Sequence, residues 1–111
     1  MTISWADFEK VDMRVGIVTG AEPFPEARRP ALKLWIDFGP DLGTKRSSAQ
    51  ITAHYTTADL IGRRVIAVVN FAPKQIGPFV SEVLVVGAYD ERGEVVLLGV
   101  DQPVAAGSKI G

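Results

Sequence analysis

The least ambiguous pattern in the chain is the alternation in "ALKLWIDFG", where Leu32, Leu34, Ile36 and Phe38 are separated by Lys33, Trp35 and Asp37. Successive side chains of a strand point to opposite faces, so this spacing predicts a strand with the first set inward and the second outward. "MRVGIV" shows the same period less cleanly, with Met13, Val15 and Ile17 on one side and Arg14, Gly16 and Val18 on the other, as in a half-buried strand. "TKRSSAQIT" is rich in Ser, Thr and Gln and predicts a third strand solvated on one side. "RRVIAVVNF" and "SEVLVVGAY" predict a fourth and a fifth, "DERG" a hairpin turn, and "EVVLLGV" a short sixth.

Two short helices interrupt the strands. Ser4 followed by Asp7 is a variant of the capping box, and it predicts an N-terminal helix with Trp5 and Phe8 on one face. Such a helix is too short to stand alone, so it must pack on something. "HYTTADLIG" predicts a second helix with a threonine near its start and Gly62 as its stop. The three prolines of Glu22–Pro30 mark a loop. Short strands around one core, with a helix inserted between the third and fourth, predict a small all-β barrel. Their order fits an OB-fold, a five-stranded Greek-key barrel, here with an N-terminal helix and a C-terminal extension. A β-sandwich would need about seven strands and no helix at that point. At 111 residues the chain is expected to form a single domain, residues 1–111.

The segment "NFAPKQIGPFVSE", Asn70 to Glu82, is longer than a simple reversal requires and carries two prolines, a glycine, a lysine and three large apolar residues, Phe71, Ile76 and Phe79. It reads as a loop forming one wall of a binding groove, stiffened by Pro73 and Pro78.

Composition narrows the chemistry. There is no cysteine, which removes disulfides, thiol catalysis and cysteine-based metal sites, and His54 is the only histidine. No Ser–His–Asp arrangement, metal-ligand spacing or phosphate-cradling glycine motif is visible, so an enzyme is not expected and no cofactor or metal is implied. His54 reads as a structural or surface histidine. Net charge is -1, so a polyanion site would have to be local. Neither a signal peptide nor an apolar run of membrane-spanning length is present, which predicts a cytoplasmic protein without membrane insertion.

The stretches "DFEKVDMRVGIV", "EARRPALKLWIDFG", "KRSSAQIT", "LIGRRVIAVVNF" and "SEVLVVGA", in this order, resemble the CsaA export-related chaperones. These belong to the wider tRNA-binding-domain family, which includes the C-terminal domains of many bacterial methionyl-tRNA synthetases. The resemblance implies an OB-fold homodimer that binds unfolded or precursor proteins near the Sec export machinery, on a surface related to one that grips tRNA. Carried over by position, the family's functional residues fall on Lys33, on Asn70 with Phe71, and on Ser81 to Leu84. "SEVL" stands where the tRNA-binding relatives have "SEGM", and "NFAPKQIG" is less basic than its counterpart.

OB-folds usually bind ligands on the second and third strands and the adjoining loops. The candidate peptide- or tRNA-binding residues are therefore Arg28, Arg29, Lys33, Trp35, Lys45, Arg46, Asn70, Phe71, Lys74, Ile76, Phe79, Ser81 and Leu84. A groove with few charges and several apolar side chains suits extended polypeptide, whereas RNA needs aromatic platforms interleaved with cations. Trp35 serves either ligand, or else packs under the N-terminal helix or in a dimer interface. Trp5, Phe8, Val104 and Ile110 are the expected dimer contacts, the tail "PVAAGSKIG" lying across a neighbouring barrel or, alternatively, plugging its own.

Overall fold

A computed structural model describes all residues, Met1–Gly111. Along the chain the elements are α1 (Trp5–Glu9), β1 (Met13–Pro23), β2 (Leu32–Asp37), β3 (Thr44–Ala49), α2 (Thr57–Leu60) and β4 (Arg64–Val68). They are followed by β5 (Lys74–Ile76), β6 (Phe79–Ser81), β7 (Leu84–Val85), β8 (Gly87–Tyr89) and β9 (Val95–Leu97). Both helices start as expected. Ser4 Oγ accepts from Asp7 N while Asp7 Oδ2 accepts from Ser4 N, both at 3.1 Å. Thr56 and Asp59 repeat the exchange at the start of α2.

Five strands form one antiparallel sheet in the order β3-β2-β1-β4-β7, which curls into the partly open barrel of an OB-fold. The long β1 serves two partners: Met13–Ile17 pair with β4, and Ile17–Pro23 pair with β2. A register shift between Val18 and Gly20 bends the strand at the change of partner. Strand β2 alternates as its sequence requires, with Leu32, Leu34 and Ile36 buried and Lys33, Trp35 and Asp37 half-buried on the other side. Val18, Leu34, Ile36, Phe38, Val65 and Ala67 make the barrel core, and Leu60 carries α2 into it.

The first strand is half-buried over most of its length, but around Val15 both of its faces are covered. Gly16 and Val18 face the core, Gly16 lying so close to Ile36 and Phe38 that a Cβ would collide with them. Val15, pointing the other way, is only 1% exposed because the tail runs beside it. Gly107 N donates to Val15 O, Val15 N to Ser108 O, and Ile110 N to Met13 O, at 2.7, 2.9 and 2.9 Å. The tail thus docks on its own barrel, as in the second of the two expectations, with Ile110 half-buried and Val104 exposed.

Three boundaries differ from the sequence reading. Strand β1 runs through Glu22 and Pro23, so the following loop begins at Phe24. Strand β3 ends at Ala49, before Gln50–Thr52. Its Ser47 is fully buried, so the strand is less wet than its composition suggests. The fifth strand is broken: Leu84–Val85 pair with β4, whereas Gly87–Tyr89 turn away to pair with Val95–Leu97. Gly87 allows this, since a Cβ there would strike Val95 and the Val96 backbone.

The largest correction concerns Asn70–Glu82. It is not an open loop: Lys74–Ile76 and Phe79–Ser81 pair as an antiparallel hairpin, turned at Gly77, whose φ is +54°. Pro78, with its fixed φ, sits at the same turn.

Candidate functional site

Register places the predicted face. Lys33 lies opposite Ser48 and Trp35 opposite Arg46, so these four side chains share the outer side of β2 and β3. Lys45 pairs with the buried Ile36 and stands on the other side, apart from them. The outer face is not vacant, because the β5–β6 hairpin folds over it. Phe79, 6% exposed, meets Trp35 edge-on with ring centroids 5.9 Å apart and Phe24 at 5.5 Å. Phe24, Ala31 and Phe79 form a second small core, against which Ala27, Trp35 and Ile76 pack. Trp35 therefore packs neither under α1 nor out into solvent, but against the hairpin.

Polar contacts fix the hairpin to β3. Arg46 N and Nε donate to Glu82 Oε1 at 3.0 and 3.3 Å, Glu82 N donates to Arg46 O at 2.8 Å, and Ser48 N donates to Ser81 Oγ at 3.0 Å. Lys33 Nζ lies 3.6 Å from Glu22 Oε1. Both cations of the predicted face are thus paired with the chain's own carboxylates. Asn70 is also engaged. Its Oδ1 accepts from Asp12 N at 3.0 Å and its Nδ2 donates to Lys10 O at 2.7 Å, so it clamps the end of α1 to the end of β4.

What stays open lies at the seam between β3 and β7, which no ladder closes. One arm, of about 370 Å³, is lined by Phe71, Lys74, Ile76, Ser81 and Leu84 among others. A second, of about 690 Å³, runs past Arg29, Ile51, Tyr89, Glu94 and Val95. The arms share Ser48, Gln50 and Leu84, which makes them one bent trough. Leu84 and Phe71 offer it apolar surface at 51% and 56% exposure. Of the predicted residues, Arg29, Phe71, Lys74, Ile76, Ser81 and Leu84 line this trough, whereas Lys33, Trp35 and Arg46 lie beneath the hairpin, Phe79 is the hairpin's own buried side chain, and Arg28 is exposed on the loop before β2. Tyr89 and Val95 were missed. Their signal was the "DERG" turn, which places the residues flanking it side by side.

The larger arm has a pinned wall. His54 Nε2 donates to Asp90 Oδ2 at 2.7 Å, and Asp90 Oδ1 accepts from Arg92 N and Glu94 N, each at 2.9 Å. The hydrogen bond from His54, with those from the Glu94 and Arg92 amides, holds the Asp90 carboxyl below the usual carboxylate range. Tyr55 adds a second pin by accepting from Leu97 N at 2.9 Å. His54 thus has a structural task. No group of three or more His, Asp or Glu side chains is placed to hold a metal, and no helix is long and apolar enough to cross a membrane.

Residues 13–109 match the family model described as "Putative tRNA binding domain". The chain belongs to the tRNA-binding-domain family. Within this family it is similar to methionine–tRNA ligases, with 37% identity to that of Methanocaldococcus jannaschii over 92% of this chain and 41% to that of Neisseria meningitidis over 97%. It spans only 15% and 16% of those enzymes' lengths, so it corresponds to an accessory part of them. Among solved structures it is similar to the chaperone CsaA of Bacillus anthracis, with 51% identity, a TM-score of 0.93 and full coverage of both chains. CsaA of Picrophilus torridus matches equally, at 51% and 0.93 over 99% of this chain and all of that one. A MetRS-related protein of Pyrococcus horikoshii follows at 29% and 0.85, with both chains fully covered.

Proposed function

We propose that this protein is a homodimeric, cytoplasmic chaperone that holds unfolded or precursor polypeptides for export, delivering them to the Sec machinery without a chemical step. The observation that carries the reading is the seam trough, with exposed Phe71, Leu84 and Tyr89 along it and few charges. Extended chains share a backbone and differ in side chains, so a long trough that mixes apolar side chains with polar groups suits them. Similarity to the CsaA chaperones at 51% identity over the full chain supports it. The dimer is supported by Trp5, which stands 81% exposed on α1 and needs a cover, with Phe8 half-buried beside it.

The test is binding of a reduced, unfolded client to the parent and to Phe71→Ser with Leu84→Ser. Both side chains are exposed, so the fold tolerates the change. Each loses apolar contact worth about 1–2 kcal/mol, which predicts roughly tenfold weaker binding per site. Absence of any complex with the parent protein rejects the reading. Light scattering decides the dimer independently.

Family membership favours a second reading, a structure-specific tRNA binder on the same side of the barrel. Arg28, Arg29 and Lys74 support it, since none is ion-paired within the chain. Its signature is an affinity that falls by about 0.7–0.9 log units per phosphate contact for each log unit of salt.

A further inference from the structure

The two arms of the trough meet at Ser48, Gln50 and Leu84. Leu84 is apolar, but the other two carry neutral hydrogen-bonding groups, and those groups are free. The Ser48 main chain is engaged, its N–H donating to Ser81 Oγ at 3.0 Å and its carbonyl accepting from Ser47 Oγ at 3.2 Å. The Ser48 hydroxyl and the carboxamide of the exposed Gln50 have no hydrogen-bond partner within the chain. Neighbouring polar groups are committed, Ser81 Oγ to Ser48 N and Glu82 Oε1 to Arg46. Ser48 lies on the outer side of β3, and Gln50 follows directly after the strand's end at Ala49. Two residues along an extended backbone span about 7 Å, the interval at which a second extended chain repeats its own N–H and C=O groups on one side.

We propose that Gln50, assisted by Ser48, hydrogen-bonds the backbone of one extended client segment at the bend of the trough, while apolar side chains of that segment enter the arms on either side. A carboxamide both donates and accepts, so it matches the two groups of a single peptide unit, and being neutral it draws no charged ligand. This bond is made to atoms that every polypeptide has, whereas the arms supply contacts that depend on side chains. The arrangement selects for a period. Side chains that leave an extended backbone on the same side are two residues apart, so the favoured client alternates apolar with polar residues, as a strand does. A helical segment fits poorly, since its peptide N–H groups are already spent on its own carbonyls. The inference deepens the polypeptide reading of the trough and rests on it.

The experiment uses the whole chain and two short fluorescein-labelled peptides of identical composition, one with its leucines at alternate positions and one with them at helical spacing. Anisotropy titration is expected to show the alternating peptide binding roughly tenfold more tightly, because only it fills both arms at once. Each peptide unit of that peptide is then N-methylated in turn, which removes one donor. At one position the parent loses affinity roughly fivefold, as for a single hydrogen bond; Gln50→Ala loses as much without methylation and nothing further with it. Gln50 is exposed and its side chain bonds nothing in the chain, so the substitution is expected to leave the urea midpoint unchanged. A Gln50→Ala variant with the parent's affinity and the parent's methylation profile overturns the proposal. So does equal binding of the two peptides. Loss of labelled oligouridine from Gln50→Ala with peptide binding intact also overturns it, assigning the bend to RNA. A parent that binds neither peptide nor unfolded client rejects the polypeptide reading itself. Binding that Phe71→Ser with Leu84→Ser removes and Gln50→Ala spares keeps that reading and removes only this inference.

Discussion

Gly107→Ala tests the docking of the tail. Gly107 has φ +90°, and an added Cβ would press into the Phe38 carbonyl oxygen, a backbone atom that cannot swing aside. The left-handed conformation alone costs an L-residue about 1–2 kcal/mol. The collision adds to this until the tail releases. Release gives up three backbone hydrogen bonds between Met13, Val15 and the tail, at about 1 kcal/mol each, and uncovers Val15, worth about 1.5–3 kcal/mol. The loss is therefore bracketed between about 1 kcal/mol, the conformational cost alone, and about 6 kcal/mol, full release of the tail. Gly93→Ala is the control, because Gly93 has φ +79° but nothing within 4 Å of an added Cβ, and so bears only the conformational cost. Urea unfolding followed by Trp35 fluorescence reads both, and native-state exchange of the Val15 and Ile110 amides shows whether the tail has left. If Gly107→Ala costs no more than Gly93→Ala and the Val15 amide stays as protected as in the parent, the described packing of the tail is wrong.

Asn70→Ala removes the clamp on Lys10 O and Asp12 N and is expected to cost about 1–2 kcal/mol, with faster exchange at the Asp12 amide; unchanged exchange there contradicts the clamp. Gly16→Ala pushes a methyl group against Ile36 and Phe38, 2.7 Å from Phe38 Cε1, and is expected to destabilise by about 1–3 kcal/mol in the same urea assay, a neutral result showing that the core yields there. The Asp90 carboxyl, lowered by its hydrogen bond from His54, stabilises the β8–β9 turn above the unfolded carboxylate pKa of about 3.9, and this contribution disappears as pH falls through the lower folded value. Amide shifts of Arg92 and Glu94 should follow that acid transition, and Asp90→Asn should abolish it; a transition that survives the substitution belongs to another group.

Much of the barrel was legible because its signals are local. Strand β2 has a strict period of two over the full span of a buried strand, and both helix starts carry a hydroxyl and a carboxylate three residues apart. The β5–β6 hairpin was not legible, since three-residue strands are too short for alternation to emerge, and its prolines read as loop. The same brevity hid the role of Phe79, whose partners Trp35 and Phe24 are distant in sequence. Asn70 matched a family position but gave no sign that its amide was committed to Lys10 and Asp12. Lys45 was misplaced because register, not composition, decides the side of a strand, and only the pairing with Ile36 reveals it. Of the trough's apolar residues, Phe71, Ile76 and Leu84 were among the candidates while Tyr89 and Val95 were not, and its position was missed, since it lies where β3 and β7 fail to pair.

That failure of pairing has a mechanical consequence. Strands joined by a ladder separate only by surrendering a row of bonds together, but here Ser81 Oγ and Glu82 Oε1, with the Glu82 and Val83 amides, stitch the join at individual points. The stitches can be undone singly while β1, β2 and β4 stay intact. The barrel's closure along this one line thus rests on separate bonds rather than on a cooperative row.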